Sequence, residues 1–347
     1  MFQKYFTNLF IAIIEEGSSY KLFSKVVKSG KVKEKFEKTF ETKASSEELD
    51  DEMSKYLISL QEKYNYVYIA LLLNSMGQGA IKGVSDLEFE RSKVDPKSVK
   101  AVKFKNWSAY VSYIDINWIK KIYAKVGLDL VYSPFIVLYN LLLEHKLKTK
   151  ATLYILNQEN SVTVSVFKED ILYFGAFYKV NKEDVLDGID VDGWENEEEE
   201  ESAVEDLATL DTQDEEEDLS DLDDLSELDT LDTELTQGDE FSDIDEKNGI
   251  DSLLGSDVDD ISIEDIELYG RDLEIYKFLN RALKEYYKNE IYESDFVEEA
   301  VIFDAYDMSH EMIDSIENDL LLDLQMHKID IGETVCDLSV KEIYGKL

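Results

Sequence analysis

The sequence predicts an α/β protein built from two similar halves. Three β-rich runs follow one another over residues 151–179, each dense in β-branched and aromatic residues and separated by short polar breaks. They are Thr152–Leu156, Val162–Phe167 and Ile171–Tyr178. Breaks of this length are typical of hairpin turns, so the runs predict a three-stranded antiparallel meander. In the middle run three valines alternate with Thr163 and Ser165, which predicts a strand buried on one face only.

A second meander is predicted near the start of the chain. Its runs are Leu9–Ile14, Tyr20–Val27 and Lys31–Phe40. A helical pattern follows at Ser46–Gln61, where Ser45 or Ser46 can cap the first turn, and a continuous apolar strand follows at Tyr66–Leu73. Each meander is thus followed by a helix and a further strand, which predicts two lobes of like topology.

The remaining patterns complete the two halves. Gly77 and Gly79 predict a flexible turn, and no clear helix is expected over Val84–Arg91. Further strands are predicted at Ser98–Phe104, Ser108–Ile114, Asp129–Tyr132 and Glu298–Phe303. Further helices are predicted at Ile116–Val126, from Pro134 to about His145, at Tyr269–Lys288 and at Met308–Leu324. The last twenty residues, which include Cys336, predict a short strand and a tail.

Charge is distributed unevenly along the 347 residues. Residues from Trp194 to Leu268 contain 33 acidic side chains and one lysine, whereas the rest of the chain contains 45 acidic and 35 basic ones. The formal net charge of −42 therefore belongs mainly to one segment. A segment so acidic and so poor in aromatics cannot bury enough apolar surface to offset chain entropy, so we expect residues 183–268 to form a disordered insertion.

Leucine recurs every third residue within this acidic insertion, from Leu219 to Leu231. A period of three drifts around an α-helix, so the pattern does not predict a long amphipathic helix. Acidic residues alternating with leucine are typical of a segment that docks on a basic, apolar partner surface. A solvated linker is the alternative interpretation.

Several classes of partner and site are disfavoured. The negative charge disfavours nucleic acid and anionic membranes as direct partners, and no apolar run approaches the roughly 20 residues of a membrane span. A single cysteine and no recognisable signal peptide predict a cytoplasmic location. His145, His310 and His327 have no second ligand at metal-binding spacing, so we expect no metal site.

The repeated meander, helix and strand resemble the two ribonuclease-H-like lobes of the actin-like ATPase fold. Within that superfamily the order of elements is similar to the PilM/GspL branch, the cytoplasmic actin-fold components of type IV pilus and type II secretion machines. The likeness is carried by the passage Trp107–Leu142, which contains Gly-Leu-Asp-Leu-Val-Tyr-Ser-Pro between two helices, and by the elements from Tyr269 onward.

The resemblance implies a division of the chain into lobes. Residues 1–148 would form the first lobe, with a small subdomain at about 84–130. Residues 149–182 would begin the second lobe, and residues 269–347 would complete it after the insertion.

Three turns carry the chemistry of active members of this superfamily. The resemblance implies phosphate contact by the first turn of each lobe, which reads Asp-x-Gly, and adenosine contact by a late Gly-Gly turn. This chain has, at those places, Gly17, Ser18 and Ser19 after two glutamates, then Asn157, Gln158 and Glu159, and finally Asp304, Ala305 and Tyr306. The altered turns, with carboxylates where phosphate would lie, predict that no nucleotide cofactor is bound.

The leading hypothesis is a non-catalytic scaffold. The resemblance implies that it binds the cytoplasmic tail of a bitopic inner-membrane protein of PilN/GspM type, and that it self-associates into a ring or arc beneath a pilus, secretion or flagellar machine. The candidate partner-binding residues, for which core packing is the alternative, are Trp107, Tyr110, Tyr113 and Trp118. Two rival hypotheses are an ATPase that holds ATP with Mg²⁺ through Gly17 to Ser19, and an acidic docking or chaperone protein acting through residues 194–268.

Overall fold

The structure, a computed structural model, describes residues 6–41, 48–180 and 263–345. Most of the predicted acidic insertion, including its leucine repeat, lies outside these residues. The helix that follows it begins at Ile263, so helical structure starts six residues earlier than Tyr269, the predicted first residue. None of the helices in the described ranges is long and apolar enough to cross a bilayer.

The first lobe is built on a five-stranded sheet. Its strands are β1 (Thr7–Glu16), β2 (Ser19–Lys28), β3 (Lys31–Glu41), β4 (Tyr66–Leu72) and β8 (Leu130–Tyr132). Their order across the sheet is β3-β2-β1-β4-β8, in which the first three strands run antiparallel and β4 and β8 run parallel to β1. Strand β1 is buried on both faces from Asn8 to Ile14, as its unbroken apolar run predicts.

The second lobe repeats this arrangement. Its strands are β9 (Thr152–Gln158), β10 (Ser161–Lys168), β11 (Ile171–Lys179), β12 (Glu299–Asp304) and β13 (Asp323–Lys328). Their order is β11-β10-β9-β12-β13, with an antiparallel meander and two strands parallel to β9. Both sheets therefore follow the ribonuclease-H-like order, and the predicted fold class of two such lobes is confirmed.

Helices cover the faces of both sheets. The outer face of the first sheet packs against α1 (Asp51–Lys63) and α3 (Tyr113–Ile122), and the outer face of the second packs against α5 (Ile263–Lys288) and α6 (His310–Leu320). Two helices, α4 (Pro134–His145) and α7 (Ile331–Ile343), lie in a core that takes side chains from both lobes. This shared core fixes the two lobes as one compact unit.

A small antiparallel sheet lies between β4 and β8 in the sequence. It contains β5 (Gln78–Lys82), β6 (Val99–Lys103) and β7 (Trp107–Ser112) in the order β5-β7-β6, with α2 (Asp86–Arg91) beside it. The flexible turn expected at Gly79 is wrong, because this residue belongs to β5 and a Cβ there would lie 2.5 Å from the Tyr110 hydroxyl. Helix α2 was also not expected; the Glu88 carboxylate caps it by accepting from the backbone N–H of Ser85 at 2.8 Å.

Two helices of the first lobe start elsewhere than predicted. The N-cap of α1 is Asp50, whose carboxylate accepts from the backbone N–H of Glu52 at 2.8 Å, and not Ser45 or Ser46. Helix α3 starts at Tyr113, because the Ser112 hydroxyl accepts from the backbone N–H of Asp115 at 3.0 Å and ends β7 there. Each side-chain cap outweighs the apolar periodicity from which the boundaries were predicted.

The middle strand of the second meander is buried on both faces, not on one as predicted. Thr163 and Ser165 are 0% and 1% exposed, and their face of β10 is covered by α4. The valines opposite face α5. Thr163 and Ser165 are buried because α4, a helix of the first lobe, covers them. The local sequence pattern of the meander contains no information about this helix.

The C-terminal residues form a helix, which contradicts the predicted strand and tail. Helix α7 packs on β1, β2 and β4 of the first lobe, although it follows the last strand of the second. Gly332 permits this approach, because a Cβ there would lie 2.6 Å from the Phe23 Cβ. Lys25, only 1% exposed, donates to Glu333 at 3.1 Å and to Asp337 at 2.5 Å. Close packing and ion pairs therefore hold α7 on the first lobe.

Candidate functional site

The three turns singled out from the sequence meet in one cleft between the lobes. Its volume is about 260 Å³, slightly below the usual range of roughly 300–1,000 Å³ for a ligand pocket. The β1–β2 turn contributes Glu15 and Glu16, the β9–β10 turn contributes residues 158–161, and the loop after β12 contributes residues 305–307. Equivalent strand ends bring these turns together, since both meanders present their first turn at the same edge of the fold.

The turn of the first lobe is a two-residue hairpin turn open to the cleft. Glu16 pairs with Ser19 across the hairpin, and Gly17 has a φ of 53°. The Ser19 hydroxyl donates to the Glu16 carbonyl at 3.0 Å, so it closes the turn. Gly17 thus has a conformational role in the hairpin, since a positive φ favours glycine.

Carboxylates dominate the electrostatics of this turn. Burial raises the pKa of Glu15, against the opposing effects of the Lys179 charge and a hydrogen bond with Asn74. Burial also raises the pKa of Glu16, and the nearby charge of Glu159 adds to the rise while Lys21 opposes it. A phosphate placed here would meet negative charge from both lobes. At 4 Å each such pair costs about 4 kcal/mol at the effective dielectric of a protein surface.

The turn of the second lobe is bonded from behind by a buried arginine. Arg271 of α5 donates to the Glu159 carbonyl at 3.0 Å and to the Gln158 carbonyl at 2.5 Å. The same guanidinium donates to the Asn157 Oδ1 at 3.0 Å. The carbonyls of this turn are therefore directed into the lobe and away from the cleft.

Asn157 stands where the resemblance places a catalytic aspartate, and its side chain is buried and hydrogen-bonded inside the lobe. It is 0% exposed, and its Nδ2 donates to the Asp304 Oδ1 at 2.7 Å while its Oδ1 accepts from Arg271. Both of these bonds direct the amide toward Asp304 and Arg271 inside the lobe. The side chains of Arg271, Asn157 and Asp304 are called the internal polar cluster below.

The third turn folds around the Asp304 carboxylate. That carboxylate accepts from the backbone N–H of Tyr306 at 3.2 Å and from that of Met308 at 3.0 Å. The Tyr306 ring lies 5.5 Å from the Arg271 guanidinium carbon, within the range of a cation–π contact. Bare backbone for an adenosine is replaced here by an aromatic ring packed against the internal polar cluster.

Arg271 is the residue that the sequence reasoning missed. It lies in the predicted helix Tyr269–Lys288 and was not singled out there, yet it is 3% exposed. Burial lowers the pKa of its guanidinium to about 10, against the opposing effects of Tyr306 and of Asp272. Burial raises the pKa of Asp272, whose carboxylate accepts from the backbone N–H of Ser309 at 2.9 Å. The adjacent pair Arg271 and Asp272, placed directly before the apolar residues of the helix, was the feature of the sequence that could have indicated a buried ion pair.

The four candidate partner-binding aromatics do not form one surface. Trp107 is 1% exposed and stacks on Phe104 with ring centroids 4.2 Å apart, so its assignment to a partner surface is wrong. Tyr110 is half-buried against Phe89. Tyr113 and Trp118 are exposed, at 45% and 46%.

An exposed apolar surface does exist on α3, although the sequence did not indicate its centre. Ile114 is 82% exposed between Tyr113 and Trp118 in the sequence, and Met76, just before β5, is 63% exposed. We call Met76, Tyr113, Ile114 and Trp118 the α3 surface. Ile114 and Trp118 are four residues apart and therefore lie on one face of α3, and exposed apolar side chains that share a face are typical of protein-binding sites.

Two of the histidines lie in contact, and the cysteine is buried. His145 and His327 have ring centroids 4.4 Å apart, a contact which their separation in sequence concealed. The described residues contain no group of three or more His, Cys, Asp or Glu arranged for a metal ion. Burial of Cys336 raises the pKa of its thiol to about 12. A thiol of this kind is a poor nucleophile at neutral pH.

The lobes and the cleft define the class of this chain as a protein of actin-like ATPase fold. A family model described as "Domain of unknown function (DUF8341)" matches residues 153–344, and a second, "Domain of unknown function (DUF8569)", matches residues 6–139. The chain therefore belongs to the DUF8341 family. No curated protein matches its sequence.

Solved structures similar to this chain share little sequence with it. One is a protein of actin-like ATPase fold and unknown function from Bacteroides thetaiotaomicron, 8% identical over 97% of this chain and 96% of that chain, with a TM-score of 0.43. A PilM–PilN type IV pilus biogenesis complex is 10% identical over 92% and 88%, with a TM-score of 0.47. The ethanolamine utilization protein EutJ from Carboxydothermus hydrogenoformans is 8% identical over 94% and 87%, with a TM-score of 0.36.

Proposed function

We propose that this chain is a non-catalytic, PilM-like scaffold of an envelope-spanning machine, and that it binds the cytoplasmic tail of a bitopic inner-membrane protein. The internal polar cluster is the observation that carries the non-catalytic part. The side chain in the place of the catalytic aspartate, and the carbonyls beside it, are bonded to Arg271 instead of facing the cleft. The carboxylates of the first turn disfavour phosphate in addition.

Equilibrium binding of a fluorescent ATP analogue with Mg²⁺ tests this part. We expect no saturable binding at micromolar protein. The rival ATPase hypothesis predicts micromolar affinity that is lost on Gly17→Val but kept on Gly30→Val. Gly30 is a matched control because it lies in the β2–β3 turn, also with a positive φ, and has open space around its Cβ position. Binding with that pattern would overturn the proposal.

The α3 surface is the proposed docking site for the partner tail. Its apolar side chains can anchor a short peptide, since interface energy concentrates in a few aromatic and aliphatic anchors. The proposal is supported by the sequence resemblance to the PilM/GspL branch and by the exposure of these side chains. Peripheral attachment to the inner membrane and self-association into a ring or arc belong to the same proposal.

Affinity capture from the native host after cross-linking tests the docking site. A single-span membrane protein should be captured by the wild-type chain and lost with Ile114→Asp or Trp118→Asp. Leu143→Asp on α4 is the control, because Leu143 is also an exposed aliphatic residue, at 52%. Capture that survives both α3 variants would place the partner elsewhere, and loss with Leu143→Asp alone would contradict the α3 assignment.

A further inference from the structure

A basic stripe runs along the solvent face of α5. Lys277, Arg281, Lys284 and Lys288 are all exposed and recur at spacings of four, three and four, which places them on one face of the helix. Lys277 pairs with Glu274 at 3.5 Å. Among the side chains that the structure describes, the other three cations take part in no ion pair. The stripe is roughly 16 Å long at the helical rise per residue.

The C-terminal end of the basic stripe borders an open, shallow groove. Arg281, Lys284 and Lys288 line an open groove of about 680 Å³ together with Ile291 of the following turn. Ile291 is 48% exposed, and Tyr287, four residues earlier in the sequence, is 43% exposed. An apolar side chain entering this groove would bury surface on Ile291 while its flanks met positive charge.

The carboxylates in the groove favour a ligand whose negative charges are spaced apart. Glu285 and Glu290 also line it, and the Tyr292 hydroxyl donates to the Glu285 carboxylate at 3.1 Å. A nucleic acid would bring phosphates at every step against these carboxylates. A peptide can place its carboxylates beside the cations and an apolar residue between them.

We propose that this α5 groove binds an acidic, leucine-bearing peptide segment of a partner protein. Its carboxylates pair with Arg281, Lys284 and Lys288, and a leucine or a similar side chain contacts Ile291. This site is separate from the α3 surface, so the chain would bring two different partners together. A scaffold with two docking sites of different chemistry can distinguish its partners by charge.

The test uses the full-length chain and a labelled synthetic peptide, Asp-Leu-Ser-Asp-Leu-Asp-Asp-Leu-Ser-Glu-Leu-Asp-Thr-Leu, which has the sequence of residues 218–231 of this chain and the required chemistry. Fluorescence anisotropy should show binding that weakens as salt is raised and falls by about tenfold or more when Arg281, Lys284 and Lys288 are all changed to Glu. The control changes Lys31, Lys33 and Lys100 to Glu, which alters net charge equally at exposed positions of β3 and β6. Equal loss in both triple variants would overturn the proposal.

Two further experiments distinguish the proposed peptide from other ligands of the groove. A peptide with serine for every leucine should bind about tenfold more weakly; unchanged binding would mean charge attraction without a groove and would overturn the proposal. Carbodiimide cross-linking should join Lys284 or Lys288 to the added peptide. Cross-links only to acidic residues of the same polypeptide, or binding of anionic vesicles without binding of peptide, would also overturn it.

Discussion

The two lobes share one strand order but differ in what stands behind their first hairpin turn. In the first lobe the turn at Gly17 faces the cleft with two carboxylates, and burial raises the pKa of both. In the second lobe a guanidinium bonds the carbonyls of the turn from inside. The first turn is therefore acidic and open to the cleft, whereas the second is hydrogen-bonded to the interior of its lobe. The difference indicates that only the second lobe depends on its altered turn for stability.

The change with the largest expected effect is Arg271→Met. It would remove the donor to Asn157 and to two backbone carbonyls, and leave buried carboxylates without their cation. We expect the free energy of unfolding to fall by about 3–5 kcal/mol, measured by urea denaturation. Arg281→Met on the exposed face of the same helix should change it by less than about 0.5 kcal/mol. Equal effects of the two variants would break the comparison between the lobes.

The next change, Asn157→Asp, would restore the aspartate of active members. The new carboxylate would lie where Nδ2 now donates to Asp304 at 2.7 Å. We expect the free energy of unfolding to fall by about 2–3 kcal/mol at pH 7, measured by urea denaturation. Repulsion raises the pKa of the introduced carboxyl above its unfolded value, so the loss should shrink as pH falls and that carboxyl takes up a proton.

The control for this variant is Asn160→Asp on the same turn, where the side chain donates only a long 3.4 Å bond to the Glu15 carbonyl. Asn160→Asp should lower the free energy of unfolding by less than Asn157→Asp does at every pH. A stable Asn157→Asp protein that binds Mg²⁺ and ATP would show that the second turn is still a nucleotide site, and the contrast between the lobes would then be wrong.

The third change, Gly332→Ala, tests the first lobe at its contact with α7. The added Cβ would lie 2.6 Å from the Phe23 Cβ, so helix or strand must move. We expect a loss of about 1–3 kcal/mol in the free energy of unfolding. In a Phe23→Gly background, which lacks that Cβ, the same substitution should cost little free energy of unfolding, because the clashing atom is gone. A full cost in that background would mean that the steric explanation is wrong.

The smallest expected effect is that of Glu16→Gln. Burial raises the folded-state pKa of Glu16 above its unfolded value, so the ionised side chain lowers stability at pH 7 and this cost disappears as pH falls toward 4. Because the group is partly exposed, the variant should be more stable at pH 7 by less than about 1 kcal/mol. Thermal unfolding at pH 7.5 and at pH 4.5 measures the difference, and a destabilised variant at pH 7.5 would contradict it.

The lobes could be predicted from sequence because each meander carries its own signal. The β-rich runs, separated by three- or five-residue breaks, fix strand order locally, and the parallel strands follow from the helices between them. The boundaries at Asp50 and Ser112 could not be predicted, since a single side-chain cap decides them.

Long-range partners account for what the sequence did not reveal. Thr163 and Ser165 are buried by a helix from the other lobe, and Arg271 is buried by acceptors more than 100 residues before it in the chain, the closest in sequence being Glu159 at a separation of 112. Trp107 looked like an interface anchor because no local pattern shows that Phe104 and Tyr139 enclose it. The three turns that line the cleft were singled out from the sequence, but the inward direction of the second turn was not predicted.

The position of α7 has a consequence for how the chain acquires its structure. This helix completes the hydrophobic core of a sheet whose first strands are made more than 300 residues earlier. Cys336 of α7, for example, contacts the Phe23 carbonyl of β2 across a separation of 313 residues. The first lobe cannot finish folding as soon as its own residues leave the ribosome, because part of its sheet stays uncovered until residues 331–343 have been made. Contacts so distant in sequence are typical of slow folding. During that interval the nascent lobe needs protection from aggregation, and chains stopped before residue 331 should be recovered as substrates of chaperones or proteases.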